Sequence, residues 1–310
     1  MTSEPAPNPA PQDESGRGLL YAVSAFVMWG MFPLFWKTLS HVDSLELVGH
    51  RMVWSLVFVG GLLLALGRTA WIGQVVRQPR VLGVYAAATV FIGFNWGLYI
   101  WAVNAGFIVE TALGYFINPL FNVIMGAVFL RETLRRGQWV SVGIAAVGVV
   151  WLTVSYGQLP WIALLLAGSF SIYSVIKRKA TLGAIEGLGL ECSLLFLPGL
   201  AILAYMHATT GGAFGSVDAG THALLISAGA ASALPLICFA AGVKRLKLTV
   251  IGLIQYIGPT IQFLLGVFVY NEHFGAQRMV GFAFIWAGVI VFTIEGFVQR
   301  RRVQQAGISE

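Results

Sequence analysis

The sequence predicts an all-α membrane protein of ten transmembrane helices, built as two inverted five-helix repeats with both termini cytoplasmic. Three observations predict it. The chain is 57% hydrophobic and 10% charged, with a mean hydropathy of +0.80, whereas soluble domains carry about a quarter charged residues. Its apolar runs are each near ~20 residues, the length of helix that crosses a ~30 Å hydrocarbon core; a β-barrel would show short alternating segments instead. Finally, "GYFINPLFNVIMGAVFLRE" (114–132) returns 140 positions later as "IQYIGPTIQFLLGVFVYNE" (254–272), with Pro119 matching Pro259, Gly126 matching Gly266 and Glu132 matching Glu272.

Residues 1–17 open with "MTSEPAPNPAPQDESG", a Pro-rich polar composition expected to form a disordered cytoplasmic tail. The apolar run that follows starts late and lacks the basic start and nearby cleavage site of a secretory signal, so it reads as a retained first span. Apolar runs between charged breaks place spans at 18–36, 46–66, 81–102, 109–130, 138–154, 160–176, 187–206, 223–242, 249–270 and 279–297. A basic tail, 299–310, closes the chain. Cys192 and Cys238 both sit in apolar runs, which supports neither a disulfide framework nor a metal site. No cofactor is expected.

Lysine and arginine set the orientation, because cytoplasmic loops are enriched in them. Arg17, Arg68, Arg77, Arg80, Arg131, Arg135, Arg136, Lys177, Arg178, Lys179, Lys244, Arg245, Lys247 and Arg300 to Arg302 all fall on one side of the ten-span topology. Only Lys37 and Arg278 fall on the other, and Arg51 lies within span 2. The net charge of +6 follows from this asymmetry and does not point to nucleic acid.

The 140-residue offset also relates Lys37 to Lys177, Glu46 to Glu186, Leu113 to Leu253, Gly148 to Gly288 and Thr153 to Thr293. It therefore joins a first repeat, 18–156, to a second, 157–298. Five spans is an odd number, so the second repeat enters the membrane upside down. Inverted repeats give a transporter two equivalent packings that open alternately to either side. A duplicated scaffold without transport is the bland alternative.

The stretches "GHRMVWS" (49–55), "FNWGLYIWAVN" (94–104), "LGYFINPLFN" (113–122), "QYIGPTIQFLLGV" (255–267) and "FAFIWAG" (282–288) resemble the EamA family of the drug/metabolite transporter superfamily, most closely its RarD-type permeases. The resemblance runs over roughly 18–298. It implies a ten-helix permease of the bacterial inner membrane that moves small metabolites or drugs; the RarD name is linked to chloramphenicol sensitivity or resistance.

Polar side chains at membrane depth are costly and face a cavity or a protein partner. Tyr115, Asn118 and Asn122 share one helical face of span 4, and Gln255 and Gln262 occupy the places in span 9 that match Tyr115 and Asn122. The two stripes could line a central cavity or bond helices together. Asn95, Trp96 and Tyr99 in span 3 add an amide and aromatic faces suited to a small amphipathic or aromatic solute, or to a cation held by ring quadrupoles, with an interfacial aromatic belt as the bland alternative. Pro119 and Pro259 each remove a backbone donor, as a gating kink or as an ordinary packed one.

Glu132 and Glu272 sit at span ends, where Glu132 could pair with Arg135 or Arg136. Arg51 and Glu191 are repeat-equivalent. Inversion separates them by roughly 15 Å along the membrane normal at ~1.5 Å per residue, too far for a direct pair. Glu191 is the candidate proton carrier, His50 a second titratable group, and Arg51 a candidate to hold an anionic cargo group or to stabilise the outward-closed state. A satisfied local network is the alternative for all three. Spans 5 and 10, rich in Gly143, Gly148, Ala283, Ala287 and Gly288, are expected to pack closely at the periphery and are candidates for a homodimer contact. No nucleotide-binding loop GxxxxGK[ST], HExxH or nucleophile triad motif occurs, so a secondary transporter leads over a pump, a membrane-embedded enzyme or a sensor.

Reporter fusions at Gly157 and Gly212 should report the periplasm, and fusions at Gln78 and Leu246 the cytoplasm. Reversal at any two of these sites overturns the topology.

Overall fold

The computed structural model describes residues 11–130, 134–177, 181–243, 245–246 and 254–306. Among them the chain is helical throughout, with no strand: α1 (Pro11–Gly30), α2 (Phe32–Thr38), α3 (Ser44–Ala65), α4 (Trp71–Val76), α5 (Pro79–Asn104), α6 (Ile108–Leu130), α7 (Arg136–Tyr156), α8 (Trp161–Lys177), α9 (Ala184–Thr210), α10 (Ala219–Val243), α11 (Ile257–Leu264), a π-helical turn (Leu265–Val269) and α12 (Ala276–Ala306). Eight segments are long and apolar enough to cross a bilayer, and Trp161–Lys177 and Ile257–Val269 are shorter apolar helices. The chain is a multi-pass helical membrane protein.

Local chemistry explains where the helices start and stop. Asp43 caps α3 by accepting the Leu45 N–H at 2.8 Å, and Asp218 caps α10 through the N–H groups of Gly220 and Thr221. The hydroxyl of Thr221 also donates to Asp218, at 2.6 Å. These bonds hold the exposed Asp218 carboxyl below its ordinary range.

Two expectations need correction. Helix begins at Pro11, so the expected disordered tail does not extend through 11–17; residues 1–10 lie outside the described ones. The first span is also not one helix. Pro33 cannot donate to the Trp29 carbonyl, and the helix breaks at Met31 between α1 and α2.

The packing has a reciprocal pattern. α1 packs on α10 and α11, while α8 packs on α5 and α6; α3 lies against α9, and α7 against α12. The largest buried cluster sits at the centre, around Trp36, Trp96, Tyr99, Ile100 and Leu166.

The α7–α12 seam depends on two glycines. A Cβ on Gly148 would stand 2.7 Å from the Gly281 carbonyl, and one on Gly288 would stand 2.8 Å from that of Ser141. Both distances are below van der Waals contact, so the backbones touch through them. Gly143, Ala283 and Ala287, expected in the same seam, are instead exposed on the outer surface. The side chains that do enter the seam from α12 are Phe282, Ile285 and Val289.

Gly288→Leu should force the two helices apart and destabilise the protein by ~1–3 kcal/mol, the usual cost of overpacking. Gly143→Leu on the same helix pair, where a new side chain meets nothing within 4 Å, should leave the melting temperature unchanged. Equal melting of both variants would remove the seam's dependence on Gly288.

Candidate functional site

The centre of the bundle is built around Arg51. It projects from α3 and is 5% exposed. Its guanidinium lies 4.0 Å from the ring centre of Trp96 on α5, 5.5 Å from Trp36 and 5.9 Å from Phe32, both on α2. Tyr99, one turn along α5 from Trp96, lies with its ring centre 5.9 Å from that of Tyr115 on α6, the planes tilted by 57°, and both phenols are near enough to interact with the Arg51 charge.

Among the described residues no carboxylate pairs with Arg51, and its Nε has no hydrogen-bond partner. The Tyr99 hydroxyl and the Trp36 Nε1 are likewise buried and unpartnered. Stacking on an aromatic face is worth about 2 kcal/mol when desolvated, and taking a cation out of water costs several. The rings support the guanidinium without neutralising it.

Glu191 is the second buried charge, and it has a partner of its own. Its carboxylate accepts from the Lys177 ammonium at 2.6 Å and from the Tyr173 hydroxyl at 3.1 Å, both on α8. The ammonium also lies 4.6 Å from the ring of Tyr85 on α5, whose buried hydroxyl is unpartnered. Arg51 and Glu191 do not pair with each other. Lys37, at the repeat-equivalent place of Lys177, instead donates to the carbonyls of Val103 and Asn104 at the end of α5. Glu272 accepts the N–H groups of Ile108 and Val109 at 2.7 and 2.8 Å. The α5–α6 corner thus holds a cation at one helix C-terminus and an anion at the next N-terminus. Burial nevertheless keeps the Glu272 carboxyl, outside the spans, above its ordinary range, against those N–H bonds and Lys37.

The amides turn out to join helices. Asn95 donates to the Leu166 carbonyl at 2.9 Å and to Ser169 at 3.0 Å. Asn118 accepts from Ser171 at 3.0 Å. Gln262 donates to the Trp29 carbonyl at 2.9 Å, the acceptor that Pro33 leaves without its usual donor. Asn122 keeps an unpartnered buried Oδ1, and Gln255 lies half-buried in the turn before α11.

The two prolines differ. Pro119 is inside α6 and frees the carbonyl of Tyr115, a residue of the Arg51 cluster. Pro259 is the third residue of α11, where its missing N–H is one of the first-turn groups that lack an intrahelical partner anyway. It is not a mid-helix kink. His50 sits away from the Arg51 cluster, beside Glu46 (3.7 Å) and Phe214. It opens on a pocket of about 230 Å³ with Trp54, His207 and Gly212. The expected partner for Glu132 lies elsewhere: Arg135 binds Glu295 through two contacts, of 2.7 and 2.9 Å, while Glu132 is outside the described residues.

The structure thus brings Arg51, Trp96, Tyr99 and Tyr115 together and adds Phe32 and Trp36, which sequence reasoning passed over. The clustering of "MFPLFWK" (31–37) at the end of the first span was the available signal. Tyr85, Tyr173 and Lys177 around Glu191 were also missed, Lys177 because it was counted as a loop charge.

A multi-pass helical bundle with charged and aromatic side chains enclosed at its centre has the build of a membrane transporter. The model of the EamA-like transporter family matches residues 16–154. The protein RarD of Streptomyces exfoliatus is 44% identical over 94% of this chain and 92% of its own. Uncharacterized transporter YojE of Bacillus subtilis is 41% identical over 90% and 94%. A solved crystal structure at 20% identity superposes with a TM-score of 0.58, covering 89% of this chain and 97% of its own, and shares the fold. The chain belongs to the EamA family of drug/metabolite transporters, in its RarD-type branch.

Lys177→Met should strip Glu191 of its cation and lower stability by ~2 kcal/mol, below the ~3–5 typical of a broken buried pair because the Lys177 side chain is 26% exposed. Adding Glu191→Gln to that variant should recover part of the loss. If Lys177→Met melts like wild type, the pair does not hold α8 to α9.

Proposed function

We propose that the protein is a ten-span secondary transporter of the bacterial inner membrane, with both termini cytoplasmic, that moves a small organic metabolite or drug-like solute by alternating access. The observation that carries this is the reciprocal packing. Residues of α1 and α2 match α8 at the 140-residue offset, α5 matches α10, and the α11 region matches α6. Two repeats related by a pseudo-twofold axis make reciprocal contacts, so if one first helix packs on the partner repeat's third and fourth helices, the other does too. α1 on α10 and α11, and α8 on α5 and α6, agree with that rule. The Lys and Arg distribution supports the orientation.

In this reading two states arise by exchanging the conformations of the halves, and the halves carry different charges at matching places. Glu191 is the proton carrier. Protonating it would remove the ion pair to Lys177 and leave the neutral acid bonded only to Tyr173, so the α8–α9 contact would differ in strength between the two charge states. A proton that binds one conformation better than the other shifts the balance between them, which is the requirement for coupling. Pro119, inside α6, frees the Tyr115 carbonyl beside the Arg51 cluster, and Asn95, Asn118 and Gln262 hold the surrounding helices together.

The purified protein in proteoliposomes should take up a labelled solute without chemically converting it, and uptake should respond to an imposed pH gradient. Glu191→Gln should lose the response to the gradient while still exchanging solute across the membrane. Gradient-driven accumulation by Glu191→Gln would remove Glu191 from the mechanism, and chemical conversion in place of uptake would remove transport.

A further inference from the structure

Among the described residues, Arg51 is a buried cation without a counter-charge. Four other buried or half-buried charges each have a partner: Glu191 has Lys177, Glu186 has Arg68, Glu46 has the N–H groups of Ala213 and Phe214, and Lys37 has two carbonyls. Among the described residues Arg51 has aromatic rings alone. A guanidinium carries five donors in a planar fork that matches a carboxylate through two parallel bonds. Here its Nε is unbonded, and the Tyr99 hydroxyl, buried to 98%, is a further donor without an acceptor. Buried, unpartnered donors beside a buried cation are the chemistry that recognises an anion.

We infer that Arg51, with the hydroxyls of Tyr99 and Tyr115, binds the carboxylate of an organic monoacid whose apolar or aromatic body lies along Trp96, Trp36 and Phe32. The inference rests on the transport reading for its cargo, though not for its binding. One guanidinium and two neutral hydroxyls supply a single positive charge, which suits a monoanion better than a phosphate dianion. The rings around it favour an apolar body over a sugar or a polyol, since a polyol's hydroxyls would find few acceptors there. The same charge disfavours cationic solutes at this place.

Thermal unfolding of the purified full-length protein tests this with paired probes: phenylacetate against phenylacetamide, and indole-3-propionate against its amide, with inorganic phosphate as a third arm. The carboxylates should raise the melting temperature and bind about tenfold or more tightly than their amides, the usual scale for a hydrogen bond to a charged group. Arg51→Met should abolish that preference, and Arg51→Lys, which keeps the charge and loses the fork, should keep only part of it. Should Arg51→Met fail to fold, Tyr99→Phe serves in its place. It removes a hydroxyl that bonds nothing in the free protein, so it should leave unliganded stability intact and weaken only the carboxylates.

Equal binding of acids and amides, no binding of any acid, or stabilisation by phosphate in preference to the acids would each overturn the inference. A carboxylate that binds through Arg51 but never crosses a proteoliposome membrane would sink the transport reading and leave this site standing. Uptake of a labelled solute together with equal binding of acids and amides would do the reverse.

Discussion

Hydrocarbon offers no hydrogen-bond partner, so backbone polar groups at membrane depth must be answered from within the protein. The Trp29 carbonyl shows how far this reaches. Pro33 removes the N–H that would have bonded it, the helix breaks at Met31, and Gln262, more than two hundred residues away, supplies the missing donor at 2.9 Å. One proline in the first span thereby fixes where α11 lies against α1. Asn95 on Leu166 and Asn118 with Ser171 do the same between α5, α6 and α8. Such bonds are individually modest in membranes. Their effect is directional, because each amide has few alternative partners.

The same constraint separates the two halves of the chain. Backbone packing follows the repeat, but the charges do not. Lys37 ends its reach on the carbonyls of α5, where a helix C-terminus is already partly negative, while Lys177 finds the carboxylate of Glu191. Arg51 and Glu191 occupy equivalent places with opposite signs. Strict symmetry would give two conformations of equal energy, and differing charges allow a proton or a solute to favour one. In the proposed transport cycle the duplicated scaffold would supply the geometry of the two states and the unequal charges a difference between them.

How much of this was legible in the sequence varies with the kind of force involved. Continuous apolar runs placed the helices well: the run 223–242 appears as Ala219–Val243 and 160–176 as Trp161–Lys177. Hydropathy reports length and cannot report a break, so Met31 was missed although Pro33 was in view. Gly143 and Gly148 look alike as letters, and only the rotation of α7 decides that Gly148 meets α12 while Gly143 faces outward. The amide stripes were visible as helical faces. Whether a face meets a cavity or another helix depends on its neighbour, and periodicity along one helix carries no information about that. Lys177 was read as a loop charge because a basic residue at a span end usually is one; its four-carbon stem lets the ammonium turn back along the helix to Glu191.

The charges at the centre lead to a last step. Cys192, beside Glu191 on α9, is close enough to interact with both the Glu191 and the Arg51 charges, so one face of α9 adjoins both. Glu191 and Lys177 cancel each other, and Arg51 remains. The trio is therefore positive as it stands and becomes neutral when a monoanion binds at Arg51. Protonating Glu191 while the monoanion is bound would leave Lys177 as the uncompensated cation, moving the unbalanced charge from α3 to the last turn of α8. The solute and the proton would then act on one electrostatic balance from two places, and neither would need to touch the other for their binding to be linked.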